Sequence, residues 1–167
     1  NRIIKNFILC ELKLINQGHR INIQMLEFQM PLQKFKPDVI KQLGFINGNL
    51  NLKGHVDRVD LFNDTYRIID YKTGFVQPLD LRSSSLTDLN LKPKILQLLW
   101  YVWLFTKQEN LQTLPISTGV INLRGSNFDF QPCQINKKQI IDQKILIDFE
   151  TELEKIFSEL LNPINDF

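Results

Sequence analysis

Two carboxylates and a lysine have the types and spacing to do chemistry. Asp57 sits in Gly54-His55-Val56-Asp57-Arg58-Val59-Asp60, and Asp70 and Lys72 sit in Ile68-Ile69-Asp70-Tyr71-Lys72-Thr73-Gly74. Between the two runs lies Asn63-Asp64. Asn and Asp tolerate the positive φ of a tight turn, so the β-rich runs around them form a hairpin. With a connection of two residues, or of four, the register puts Asp57 directly opposite Asp70. Opposed residues hold their Cβ atoms about 4.5 to 5.5 Å apart, and like charges there destabilise unless something compensates them. A divalent cation is the natural compensator. Lys72 lies two residues beyond Asp70 and therefore on the same face. Two carboxylates and a main-chain carbonyl make a hard, oxygen-only set that suits Mg²⁺ or Mn²⁺ better than Zn²⁺. A bound cation lowers the pKa of its water, and Lys72 can hold that water or the phosphate oxygens as a point charge. Together these groups describe a centre for phosphodiester hydrolysis.

Neighbouring residues have plainer accounts. The same register sets Asp60 opposite Arg67 as a cross-strand ion pair and Arg58 opposite Ile69, so Asp60 is given a structural role. His55 shares the face of Asp57 by alternation, but a lone histidine is more often structural or exposed, and it is left outside the site. For Asp57, Asp70 and Lys72 the plain alternative is a surface salt-bridge cluster, which the shared face and spacing disfavour.

The elements that must position these groups are legible in outline. Ile4, Phe7, Ile8, Leu12 and Ile15 recur at helical spacing up to Gly18, a favoured residue just past a helix end. Arg20 to Leu32 alternates as a strand ending near Pro31. The stretch from Gln33 to Leu43 reads as a loop or short helix, and Gly44 to Gly48 as a turn. Thr73 to Asn90, rich in Ser, Thr, Asp and Pro, reads as a long loop of the kind that often carries function. Pro93 opens a helix to about Thr106, with Ile95, Leu98, Leu99, Val102 and Phe105 as its buried face. Ile116 to Leu123 and Phe128 to Ile135 read as strands. Ile140 to Leu161 reads as a long helix with Ile141, Ile145, Phe149, Leu153, Ile156 and Leu160 apolar.

At the hairpin the sequence resembles the PD-(D/E)XK nuclease superfamily, and within it the RecB/AddB/Cas4-like branch. That branch reads G-x-φ-D, a hairpin, then D-Y-K-[ST], with a Q-x-x-x-Y signature on the following helix. Gln97-Leu98-Leu99-Trp100-Tyr101 matches the signature, and the i, i+4 spacing places Gln97 and Tyr101 on one helix face, with Lys94 one turn earlier. The resemblance covers roughly residues 20 to 125. It implies an α/β, restriction-endonuclease-like core: a central mixed β-sheet flanked by α-helices. It also implies Asp57, Asp70 and the Tyr71 carbonyl on a Mg²⁺ ion that Mn²⁺ can replace. Lys72 would help activate the attacking water, and Gln97 and Tyr101 would contact DNA or steady the site. Glu27 is the best match to the family's acidic residue on the strand before the hairpin. Many members carry an upstream helical histidine that helps bind the metal, and no match to it exists before residue 20.

Length and composition set the outer bounds. A chain of 167 residues suits one domain, and 43% hydrophobic with 23% charged residues is ordinary for a globular protein. A net charge of +2 neither demands nor excludes nucleic acid. Cys10 and Cys133 are too few for a four-cysteine iron–sulfur cluster and read as reduced core residues. No apolar run reaches membrane-spanning length and no signal peptide opens the chain, so no membrane partner and a cytoplasmic location are expected. The lack of a starting Met and the early helix suggest the C-terminal part of a longer protein. The functional expectation is a metal-dependent deoxyribonuclease, an exonuclease of DNA repair or recombination beside a helicase. The rival is a catalytically silent nuclease-like domain that binds DNA or a helicase partner. A sugar- or nucleotide-phosphate hydrolase ranks last, because no glycine-rich phosphate loop is present. Arg82, Ser83 to Ser85, Lys92 and Lys94 are candidate phosphate contacts for which a solvated loop is the plainer reading.

Overall fold

The computed structural model describes residues 2–38, 40, 48–87, 89–108, 114–124 and 127–161. Its centre is a five-stranded mixed sheet, built where hydrophobic alternation is strongest. Strand β4 (His55–Phe62) pairs antiparallel with both β1 (Ile21–Gln29) and β5 (Thr65–Lys72). Strand β7 (Ile116–Asn122) lies parallel to β5, and β8 (Phe130–Pro132) closes the order β1-β4-β5-β7-β8. Short strands β2 (Gln33–Phe35) and β3 (Leu50–Leu52) pair with each other, as do β6 (Arg82–Ser83) and β9 (Gln134–Ile135).

Both faces of this sheet are covered. On β5 and β7, Ile68 and Val120 point into the main core, while Ile69 and Ile121 point into a second cluster on the opposite face. The main core is closed by α2 (Pro93–Thr106) through Ile95, Leu98, Leu99 and Val102, and by α3 (Gln143–Leu160) through Ile145, Phe149 and Leu153. The second cluster is covered by α1 (Arg2–Asn16), which lays Phe7 and Cys10 against Ile69, Ile121 and Phe128. The result is an α/β fold with helices on both sides of a mixed sheet, as the resemblance implied. Pro93 opens α2 and Thr106 ends it. Gly18 ends α1 with φ 91°, and the His19 N–H donates to the Leu14 carbonyl at 3.1 Å, which satisfies a carbonyl the helix leaves open.

Several expectations need correction. The last helix begins at Gln143 rather than Ile140, because the Asp142 side chain caps it by accepting from the Ile145 N–H at 3.0 Å. Ile140 and Ile141 are instead extended against the start of β7, with the Ile141 N–H donating to the Ile116 carbonyl. The strand expected from Phe128 to Ile135 is two pieces. At Cys133 the chain leaves the main sheet, and β9 pairs with β6. The stretch from Thr73 to Asn90 is not a plain loop: it contains a 3₁₀ turn at Pro78–Leu81 and β6, and a second 3₁₀ turn at Leu89–Leu91 overlaps its end. Gln33–Phe35 is a strand; of the remainder to Leu43, residues 39 and 41–43, and of the turn from Gly44 to Gly48, residues 44–47, lie outside the described residues. The Arg20 to Leu32 strand is confined to Ile21–Gln29. Cys133 is fully buried, which pushes its thiol up to about 12.

Candidate active site

The connection between β4 and β5 is the two-residue turn Asn63-Asp64, with φ of 46° and 66°. Its register is the anticipated one: Phe62 pairs with Thr65, Asp60 with Arg67 and Arg58 with Ile69. One step further the carboxylate of Asp57 turns across the strands and accepts the Tyr71 N–H at 2.6 Å. A side-chain oxygen thus satisfies a backbone donor of β5 and brings Asp57 beside Asp70. A Cβ on Gly54 would come within 2.7 Å of Leu104 Cδ1 and 3.4 Å of the Tyr101 ring. The glycine therefore lets β4 enter tightly under α2, which carries Gln97 and Tyr101.

Asp70, Lys72, Gln97 and Tyr101 form one connected chain. Lys72 Nζ is 2.8 Å from Asp70 Oδ2 and donates to Gln97 Oε1 at 3.0 Å. Gln97 Nε2 in turn donates to Asp70 Oδ1 at 3.2 Å and to the Tyr101 hydroxyl at 2.8 Å. The amide of Gln97 thus bridges a carboxylate and an ammonium, and an i, i+4 partner fixes its orientation. Asp70 is 5% exposed, and burial pushes its carboxyl above the ordinary range. Lys72 opposes that rise by hydrogen bonding and charge, while Asp57 adds a smaller push upward. Asp70 Oδ2 is buried, and its close partner is the Lys72 ammonium at 2.8 Å. A buried, electron-rich oxygen placed this way beside a second carboxylate fits a divalent metal.

A third carboxylate approaches from β1. The pairs Leu26 with Arg58 and Phe28 with Val56 flank Glu27 and set it across from Asp57. Glu27 adopts φ 45°, left-handed backbone that strains a non-glycine residue. Ligand atoms of Glu27, His55 and Asp57 all lie within 4.8 Å of one another. His55 Nδ1 stands 3.9 Å from Glu27 Oε2. His55, left outside the site on the sequence, therefore stands among its acidic groups, and the signal was its shared face with Asp57. The reach of Glu27 was not legible in the same way, because a bulge between Ile23 and Met25 shifts the β1 register by one. His19 lies at the other end of the hairpin, stacked on Phe62.

The opposite face is structural and more elaborate than a single ion pair. Asp60 accepts from Arg67 Nε and Nη2 and from Arg58 Nε, each at 2.8 Å, and Arg58 Nη1 reaches Glu11 on α1 at 2.9 Å. Burial alone would weaken the Arg58 charge, but the Glu11 hydrogen bond and the Asp60 charge outweigh it. Asp60 and both arginines are buried, so this network pins α1 to the sheet behind the candidate site.

A mixed sheet that carries paired carboxylates and a lysine on adjacent strands, steadied from a crossover helix, defines a restriction-endonuclease-like core. A family model, that of the PD-(D/E)XK nuclease superfamily, matches residues 7–166. The chain belongs to the PD-(D/E)XK nuclease superfamily. No curated protein and no solved structure matches it. Membership points to hydrolysis of nucleic-acid phosphodiesters and to a divalent metal, as is typical of the family. Among the described residues, no helix is long and apolar enough to cross a membrane.

Proposed function

We propose that the protein is a Mg²⁺-dependent deoxyribonuclease of the RecB/AddB/Cas4-like branch, in which Mn²⁺ can replace Mg²⁺. On this reading the chain is one nuclease domain acting as an exonuclease in DNA repair or recombination, beside a helicase domain or subunit. The observation that carries the reading is the unbroken contact chain from Asp70 through Lys72 and Gln97 to Tyr101, with Asp57 turned toward it.

Asp57, Asp70 and the Tyr71 carbonyl are the assigned metal ligands, with Glu27 and His55 at the outer edge of the same acidic cluster. A divalent cation held there supplies Lewis-acid polarisation of the phosphate and a more acidic bound water. Lys72 has three ammonium donors, and Asp70 and Gln97 occupy two of them. The third is left for the attacking water or a non-bridging phosphate oxygen, where a fixed positive charge stabilises the developing negative charge. Gln97 holds Lys72 and Asp70 in register, and the Tyr101 hydroxyl holds Gln97.

The test is cleavage of labelled linear and circular DNA, single- and double-stranded, in Mg²⁺, Mn²⁺ or EDTA, by wild type, Lys72→Ala and Asp70→Ala. The expected result is metal-dependent cutting of linear substrates, lost in both variants. Cutting that survives EDTA or either substitution refutes this site. If nothing is cut while Mn²⁺ still binds through Asp70, the outcome favours the silent, DNA-binding alternative.

A further inference from the structure

Among the described residues the three most exposed large apolar side chains are Phe75 (76%), Leu91 (76%) and Leu79 (71%). Scattered exposed apolar residues are ordinary in any protein. These three all fall in the one segment that leaves Lys72 and returns at the start of α2. That segment is anchored. Val76, Leu81, Leu86 and Leu89 are buried in the main core. The Gly74 carbonyl accepts from Asn122 Nδ2 at 3.2 Å, Lys94 Nζ reaches Asp80 at 3.1 Å, and Lys92 Nζ donates to the Arg82 carbonyl at 2.7 Å. Phe75 thus stands in solvent on a backbone fixed on either side of it, three residues past Lys72. It emerges beyond the carboxyl ends of the parallel strands β5 and β7, the edge at which open α/β sheets bind their ligands.

Charge identifies what such a surface receives. From Lys72 through Lys94, ends included, there are four basic and two acidic residues, an excess that equals the +2 of the whole chain. A protein-binding patch is depleted of charge at its centre, whereas here Arg82, Lys92 and Lys94 are interleaved with Leu79 and Leu91. A cationic track with an exposed aromatic face is the combination that binds unpaired nucleic acid, since every base offers a π-face once it leaves the duplex.

We propose that Phe75, together with Leu79 and Leu91, is a stacking platform for unpaired bases, with Arg82, Lys92 and Lys94 meeting their phosphates. The platform makes single-stranded DNA, or a frayed end, the preferred substrate. This rests on the nuclease reading above and adds the strandedness that it leaves open.

The experiment is fluorescence anisotropy of matched single-stranded and blunt duplex oligonucleotides in EDTA, where binding is read without cutting. Wild type, Phe75→Ala and Phe75→Tyr are compared, with circular dichroism confirming that each is folded. The expected result is single-strand preference in wild type and a loss of about 5- to 100-fold in Phe75→Ala. Duplex binding should barely change, and Phe75→Tyr should bind single strands like wild type. Equal weakening on both substrates, no weakening, or a wild type that binds neither form overturns the platform. A platform that behaves as stated in a protein that cuts nothing with any metal refutes the nuclease reading alone.

Discussion

Lys72 and Asp60 show how the same hairpin carries two kinds of charge. On one face Lys72 is a quarter exposed and keeps a donor free, so its removal should cost activity and little stability. On the other, Asp60 is shared by two buried arginines and has no access to solvent. Deleting one partner of a buried ionic network strands the others, at a cost of about 3 to 5 kcal/mol. Asp60→Ala should therefore lower the urea-unfolding free energy by that amount, and a loss below about 1 kcal/mol would show the network to be dispensable. Gln97→Ala should leave the urea midpoint nearly unchanged while reducing kcat, because its amide holds Lys72 in place without being part of the core. An equal fall in stability would reassign Gln97 to packing. Lys72, Asp70 and Asp57 were legible from residue type and strand parity. The Glu11 contact to Arg58 was not, because nothing local links a helix near the chain start to a strand more than forty residues on.

At the scale of the element, the start of α3 is decided by one side chain. Apolar spacing runs back to Ile140, yet Asp142 caps the helix and the two preceding isoleucines join β7 instead. Lys138 and the Ile145 N–H hold the Asp142 carboxyl below its ordinary value, with Lys138 the larger cause. Because the folded value is the lower one, the unfolded chain binds more protons in acid. The contribution is thus complete above the ordinary aspartate value and disappears as pH falls through the depressed one. Asp142→Ala should cost about 1 kcal/mol at neutral pH, and the difference from wild type should shrink in acid. Asp142→Asn keeps a capping oxygen that does not titrate and should show no such convergence. A difference between wild type and Asp142→Ala that is constant from pH 7 to pH 3, read by urea unfolding at each pH, would remove the charge from the cap.

Across the whole molecule, the candidate site gathers residues from β1, β4, β5 and α2, and its acidic groups repel one another until a cation joins them. Metal binding should accordingly stabilise the folded state. At a Mn²⁺ concentration of 100 times the dissociation constant the gain is about 2.7 kcal/mol. Thermal unfolding should shift upward with Mn²⁺ in wild type and much less in Asp70→Asn. An identical shift in both would place the ion elsewhere. The same assembly explains why α1 matters to the site: through Phe7, which packs edge-on against the Tyr71 ring, and Glu11, which pairs with Arg58, it clamps the back of the strands that carry Asp57 and Asp70.

By itself the sequence determined the hairpin and, for a turn of two or four residues, the face shared by Asp57, Asp70 and Lys72, because strand alternation and turn chemistry are local and periodic; the structure settled the turn at two. It likewise determined the bounds of α2 and the i, i+4 pairing of Gln97 with Tyr101. Only the tertiary structure decided what joins them. The bulge in β1 sets Glu27 across from Asp57 and beside His55, Gly54 admits the hairpin beneath α2, and the crossover buries four of its apolar side chains while leaving Phe75 in solvent. Each of these depends on contacts between segments distant in the chain, where no local period carries the information.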